Sequence, residues 1–565
     1  MKRSSLASLT LALTICAMPS AYPLAAEVAL TRIATMPDGA EVTGVSINGL
    51  GDLFLNAQHP GGKDMLRDDA PPAIVGYIEG FDSSKISSPG MEVPPEGSRS
   101  GVSVAMGEYV ALVKAGETLG SGQVFGGVYD AAGALMYVSN TPDFNGFIPV
   151  GANTAYLYTA WEGAGRDGAS AVSKVLLNRV DGKWQADLSA SRMLDLSSVD
   201  GGFVLCSGIV TPWGTPILSE EYFYYNTAVW NHPDNHDEDE RASFQKGNDI
   251  TYIKPKNMAK YLGRMANPYR YGYLIEINGA ASSSGEELVK RYATGRLSHE
   301  TAAVMPDMRT LYMSDDDSAI YSDKKYNTAS GGVFFKFVAD RKGDLSSGTL
   351  YAAKLVQDKE DDPHKAGFDV SWIELGHASE EEIAGWISTY DNVQVSDYKD
   401  GATNYISDDE IRAHASGTAK DARAAFLESR RTAAAMGATN EWDKLEGVTA
   451  SGNTVYIAAS GIAFTMDKSW GLKDWSTGEI DTSKGGDIAL NAEKCGGTYK
   501  AVTGADYSIT RIEPHVIGKI TSEGRCEEGR PANPDNILAL SDGSLLIGED
   551  AGPKAHSADM LWLAK

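Results

Sequence analysis

Short apolar and aromatic runs recur along this chain, and each runs into a polar or acidic terminus. Asp52-Leu-Phe-Leu-Asn56, Ala155-Tyr-Leu-Tyr-Thr-Ala-Trp-Glu162 and Pro216-Ile-Leu-Ser-Glu-Glu221 have this form. So do Thr310-Leu-Tyr-Met-Ser-Asp-Asp316, Thr454-Val-Tyr-Ile-Ala-Ala459 and Ser544-Leu-Leu-Ile-Gly-Glu-Asp550. Runs of this length, bounded by turn residues such as Gly51-Asp52, Ser451-Gly452-Asn453 and Asp542-Gly543, predict strands. Their irregular spacing excludes a tight-period array. A β-sandwich would also give short strands, but it does not explain why the acids share one strand end. Radial repetition does, because the inner strand of each propeller blade ends near the central channel. The expected fold class is all-β, a β-propeller.

One stretch departs from this pattern. Ser379 with Glu382, and Ser407 with Glu410, have capping-box spacing. The second opens a charged, Ala-rich run through Ala433-Ala434-Ala435 that stops at Gly437, a C-cap residue. Residues 376–440 therefore read as a helical insertion between blades, either a lid or, as is commoner, a solvated decoration.

The chain start changes the picture of where the protein works. Lys2 and Arg3 precede an uncharged apolar stretch from Leu6 to Met18, then small residues up to Ala25-Ala26. These are the parts of a secretory signal peptide, with cleavage expected after Ala26 and a periplasmic or secreted product. The mature domain then covers 27–565. No later segment reaches membrane length, and a monomer is expected. Net charge is −26, or −28 without Lys2 and Arg3. Such a field repels nucleic acid and anionic membranes and attracts divalent cations.

Four cysteines are present, and Cys16 leaves with the signal. Cys495 and Cys526 could pair across a short loop or remain free thiols. Cys206 is then an odd cysteine, open to three roles: free thiol, intermolecular bridge or ligand. Nucleophile elbows and phosphate loops are missing. His232-Pro-Asp-Asn-His236 reads as an exposed loop beside the acidic Asp237-Glu-Asp-Glu240. The stronger constellation joins Cys206 through Thr211-Pro-Trp-Gly-Thr215 to Glu220-Glu221, then His299-Glu300 with Asp315-Asp316-Asp317. Lys444-Leu-Glu446-Gly447 and Pro534-Asp535-Asn536 with Glu549-Asp550 complete it. Carboxylates without clustered histidines favour hard cations, above all calcium. A thiolate suits iron or zinc, so one cysteine among acids points to a mixed centre.

The Cys206 stretch through Thr-Pro-Trp-Gly-Thr to Glu-Glu resembles the signature of PhoX-type alkaline phosphatases. Further similar segments follow in family order. They are Gly168-Ala-Ser-Ala-Val172, Arg270-Tyr-Gly-Tyr-Leu-Ile-Glu276, Gly295-Arg-Leu-Ser-His-Glu300, Gly348-Thr-Leu-Tyr-Ala352, Ala435-Met-Gly-Ala-Thr439 and Glu446-Gly447. The similarity runs from roughly residue 155 to 450, with fragments on either side. The resemblance implies a six-bladed propeller with Fe3+ and Ca2+ in its centre, releasing phosphate from small-molecule phosphoesters outside the cytoplasm. It implies that Cys206 ligates iron, that Glu221, Glu300 and Glu446 are metal ligands, and that Asp316 or Asp317 binds calcium. Lys444 stands where the family usually has a phosphate-binding arginine. Two further departures are Ala160-Trp161-Glu162, where the family has Asn-His-Glu, and Gln58-His-Pro-Gly61. The latter usually lies near the family's C-terminus, which implies a permuted ring. The competing readings are a non-catalytic calcium-binding propeller and a phosphodiesterase or lactonase on the same fold.

Overall fold

The computed structural model describes residues 28–163, 169–221, 227–236, 255–316, 331–399, 404–469, 472–473, 480–481 and 486–565. The expected signal peptide and Asp317 lie outside the described residues. What is described is mostly β, arranged as antiparallel sheets that follow one another along the chain.

Glu41–Ile47, Leu53–Gln58, Ile74–Ile78 and Tyr109–Lys114 form the first four-stranded sheet. Pro142–Gly151, Thr154–Trp161, Ala171–Val180 and Lys183–Met193 form the second. Leu205–Val210, Pro216–Glu220, Leu274–Asn278 and Glu287–Lys290 form the third. A nine-stranded sheet follows. One half runs His299–Val304, Thr310–Asp315, Phe335–Arg341, Asp344–Gln357 and Phe368–Ser379. The other runs Val448–Ser451, Thr454–Ala459, Gly497–Val502 and Arg511–Ile517. The halves meet through the pairs Phe368–Ile512 and Asp369–Arg511. In the last sheet Pro534–Ala539, Leu545–Glu549 and Met560–Ala564 are joined by Leu30–Thr35, so the first described strand of the chain pairs with the last.

The first strand of each set meets the first strand of its neighbours, and these contacts close a ring. Glu41–Ile47 touches Pro142–Gly151, which touches Leu205–Val210, then His299–Val304, Val448–Ser451 and Pro534–Ala539, which returns to Glu41–Ile47. The six apolar runs singled out in the sequence are the second strands, one per set. This corrects the expectation that the acid-tipped strands are the innermost: each lies one place out, paired antiparallel with an inner strand. Antiparallel pairing brings the end of the second strand to the start of the inner one. The second strands show no alternation because both faces are covered; Leu53–Gln58, Pro216–Glu220 and Thr310–Asp315 are buried throughout. Further out, Lys183–Met193 mixes buried positions such as Trp184 with exposed ones such as Gln185.

The apolar cores lie between neighbouring sheets. Leu55 and Ile78 of the first sheet pack with Leu546 and Leu561 of the last. Tyr312 and Leu355 pack with Val455 and Tyr499 across the nine-stranded sheet's two halves. Helices do fall where expected, at Glu380–Ser388, Asp408–Ala415, Arg423–Leu427 and Ser429–Ala435, although the strand before them extends to Ser379. Both capping boxes form, and Gly437 takes the left-handed φ of +90° that ends the last helix. They are more than solvent-facing decoration: Ile383, Ile387, Phe426 and Leu427 join one core with Leu311 and Phe337. Cys495 and Cys526 are bridged.

Candidate metal centre

Five of the six inner strands are irregular where they approach the centre, and only Val448–Ser451 pairs without a break. The ladder skips between Leu205 and Gly208, between His299 and Ala302, and between Pro534 and Ile537. It skips again at Pro142–Phe144, and between Thr43 and Ser46. Bulges re-aim side chains and recur beside functional sites. Here Cys206, Glu300, Asp535 and Asp143 fall inside them. Three of the approaches to the ring share a further feature: a non-glycine residue with left-handed φ two positions before the functional group. Val204 (+49°) precedes Cys206, Lys444 (+49°) precedes Glu446, and Asn533 (+44°) precedes Asp535. For a β-branched residue such as Val204 this backbone is costly and persists only where its surroundings enforce it. Gly447 serves the close approach of neighbouring inner strands, because a Cβ there would lie 2.5 Å from the Asp535 carbonyl oxygen.

The result is a buried ring of acids around one thiol. Asp143, Cys206 and Glu300 place ligand atoms within 4.8 Å of one another, as do Glu162, Cys206 and Glu221, and Glu300, Glu446 and Asp535. Cys206 Sγ lies 3.3 Å from Asp143 Oδ2. The Asp316 carboxyl faces Glu221 and Glu446. Gln58 Nε2 donates to Glu41 Oε2 at 2.9 Å and to Glu162 Oε2 at 3.4 Å, bringing the displaced Gln58-His59 segment to the same ring. A cavity of about 300 Å³ reaches Glu300 and Asp535 and continues along the inner strands to Val210, Val304 and Leu538.

Glu300 is 1 % exposed, and neither carboxylate oxygen has a hydrogen-bond partner; Asp316 Oδ1 and Asp535 Oδ1 are also buried without one. Orphaned buried acceptors of this kind call for a compensating charge. Two ionised carboxylates 4.8 Å apart repel by about 3–4 kcal/mol at an effective dielectric of about 20. The electrostatics follow. Burial first, then the neighbouring acids, push Glu41, Glu162, Glu221, Glu300 and Asp535 well above the usual carboxylate range. Burial raises Asp143 to about 6 and Glu446 to about 8. Burial, with Asp143 and Glu300 nearby, lifts the Cys206 thiol as well. The cluster suits cations: oxygen donors for a hard ion, with a sulfur shared by two of the three donor sets.

Lys444 is the cation at this ring. Its ammonium sits 2.5 Å from Glu446 Oε1, and its side chain is 39 % exposed. Burial works against its charge, but Glu446, Asp316 and Asp550 outweigh it and hold the pKa well above the ordinary lysine value.

The structure thus brings together Cys206, Glu221, Glu300, Asp316, Glu446 and Lys444. Sequence reasoning missed Asp143 and Glu41, and it read Glu162 as the acidic end of a strand and a departure from a motif, without naming it a ligand. Asp535 belonged to the constellation without being singled out as a ligand. The overlooked signal is an acid in the first two positions of the preceding strand, as at Glu41, Asp143 and Asp535. His232 and His236 lie away from the ring and are half-buried in short helical turns, not in an exposed loop. His236 Nε2 contacts the Trp230 carbonyl at 2.6 Å, and the His232 ring packs on Tyr398.

No curated protein matches this chain. Among solved structures, PhoX of Pseudomonas fluorescens in complex with vanadate, a transition state analogue, shares 16 % identity, with a TM-score of 0.50 over 94 % of this chain and 87 % of that one. That likeness shows a common fold. A glucose dehydrogenase-type oxidoreductase of Thermus thermophilus aligns at 8 % identity and a TM-score of 0.38, over 95 % of this chain and 100 % of that one. The family described as alkaline phosphatase PhoX matches residues 179–562, starting later and reaching further than the similar segments seen in the sequence. That match spans well over half of the sequence: the chain belongs to the PhoX alkaline phosphatase family and is a phosphoric ester hydrolase.

Proposed function

We propose that this chain is an exported phosphatase that releases phosphate from small-molecule esters at a mixed calcium and iron centre in the channel of a six-bladed β-propeller. The ring of inner strands supports the propeller, with four-stranded sets as blades and the nine-stranded sheet as two blades joined at their edges. Leu30–Thr35 would close it. The first-sheet position of Gln58, with its bonds to Glu41 and Glu162, supports a permuted ring. The Cys495–Cys526 disulfide supports export, since such bonds persist in oxidising compartments. Among the described residues no helix is long and apolar enough to cross a membrane.

The observation that carries the metal reading is Glu300, fully buried with both oxygens unpartnered, between the Asp143–Cys206 and Glu446–Asp535 groups. In this reading Cys206 holds iron. Glu221, Glu300, Asp316 and Glu446 hold metal, joined by Asp143, Glu162 and Asp535; Asp317 remains a candidate calcium ligand. Bound cations would neutralise phosphoryl oxygens and stabilise charge in the transition state. Lys444 adds a point charge, where an arginine would offer a two-pronged fork. It orients the phosphoryl group at the ring's edge, and Glu446 fixes where its ammonium stands. Buried acids alone would repel the ester, so the ring needs its cations before an anionic substrate can enter.

The test pairs a chromogenic phosphomonoester assay with elemental analysis of wild type and Cys206→Ser. Phosphate release lost on calcium chelation, with iron depleted in the variant, is the expected result. Fully metallated protein inactive on mono- and diesters sinks the activity; equal iron in both proteins sinks the role of Cys206.

A further inference from the structure

We infer that Asn533, anchored by the Cys495–Cys526 disulfide, is a positioning residue that holds the Asp535 and Glu446 carboxylates in register; this rests on the metal reading above. Asn533 adopts the left-handed backbone with φ +44° that re-aims the chain two residues before Asp535. Three carbonyls hold it there. Its N–H donates to Cys495 O at 2.8 Å, and its Nδ2 donates to Ser460 O at 2.7 Å and to Lys494 O at 3.1 Å.

The bond to Ser460 leads to the metal-site elements, and those to Cys495 and Lys494 lead to the disulfide. Ser460 Oγ lies 3.3 Å from Glu446 Oε1 and 3.0 Å from the Pro534 carbonyl, so its one proton is shared between the Glu446 carboxylate and the residue before Asp535. The Asn533 carbonyl accepts from Asp550 N at 3.1 Å, tying in the neighbouring acid-tipped strand. On the other side Cys495 and Cys526 pack directly against Ala532. The disulfide therefore fixes the carbonyls of residues 494–495, Asn533 reads their position, and Asp535 and Glu446 inherit it. Asparagine suits the post because it tolerates left-handed φ and offers a donor pair on a short side chain. Partners that orient ligands without touching the metal commonly govern affinity by roughly 10–100-fold.

The experiment compares calcium binding and thermal unfolding of wild type, Asn533→Gly, Cys495→Ser/Cys526→Ser and their combination. Glycine keeps the backbone conformation and removes only the amide. Asn533→Gly is expected to weaken calcium binding by roughly 10-fold or more, lowering the calcium-loaded unfolding midpoint far more than the calcium-free one. The disulfide variant should weaken it in the same direction. The combination should cost less than the product of the two, because both act through one set of hydrogen bonds. Unchanged calcium affinity in Asn533→Gly, equal loss in both unfolding midpoints, or full multiplicativity overturns the inference. If wild type itself binds no calcium, the metal reading fails, and hydrogen exchange of strand Pro534–Ala539 decides the clasp alone. Faster exchange in Asn533→Gly supports the clasp and unchanged exchange overturns it.

Discussion

Glu220 and Glu221 are neighbours of the same chemistry with opposite fates. Glu220 turns away from the ring and meets Lys290 Nζ at 2.8 Å, with the amides of Phe203, Gly272 and Tyr273 donating to its oxygens. Burial still lifts its pKa, against the pull of Lys290 and those amides. Glu221 turns inward to Cys206, Glu162 and Asp316 and meets more acid. The pattern repeats at Asp315, which is clamped by Arg430 with Nε 2.7 Å from Oδ2, while Asp316 Oδ1 has no partner. It appears again at Glu549, which accepts from Trp562 Nε1, Ala532 N and Met560 N, beside Asp550 in the ring. Residue type does not separate the clamped acids from those that face the ring. Donor supply does: Glu220, Asp315 and Glu549 are met by protein donors, while Asp316 Oδ1 and both Glu300 oxygens have none.

The largest expected effect comes from breaking the saturated side. Arg430→Met leaves Asp315 buried and unpaired, and should cost about 3–5 kcal/mol in urea unfolding. A loss below about 1 kcal/mol would erase the distinction between the two regions. Glu221→Gln should do the reverse, keeping or raising metal-free stability while phosphatase activity falls at least about 10-fold, the lower bound known for groups that merely orient ligands. Equal destabilisation by both substitutions would count against the comparison. Calcium should sharpen it further: at a hundred times its dissociation constant it adds about 2.7 kcal/mol to wild-type stability, read as a raised unfolding midpoint, and adds less to Glu221→Gln. The smallest effect is expected at the ring's edge. Lys444→Arg restores a two-pronged donor and should lower KM for phosphate esters by less than about tenfold, with stability unchanged; steady-state kinetics on one ester check it.

Much of this was legible from residues alone. The six apolar runs are six real strands, one per set, and the acids at the ends of four of them, Glu162, Glu221, Asp316 and Asp550, do converge. The helical stretch and both its capping boxes also follow from local spacing. What escaped was the second half of the ring. Asp143 sits in Pro142-Asp-Phe-Asn-Gly146, a stretch with no motif, and becomes a ring member only because a bulge turns it inward against Cys206. The helices looked like solvent-facing decoration because Ala-rich sequence does not show what it packs on; Arg430, buried against Asp315, shows that they brace the site.

The sequence by itself determined where one strand of each set lies, and that acids cluster at one end of most of them, because burial pattern and turn chemistry are local properties. It could not determine which acid of Glu220-Glu221 or Asp315-Asp316 faces the centre. That choice depends on a bulge in the partner strand and on a lysine or arginine 70 to 115 residues away, at Lys290 and Arg430. Side-chain direction alternates with every residue of a strand, so a one-residue irregularity exchanges a structural ion pair for a carboxylate that faces the ring. Only the assembled ring decides that.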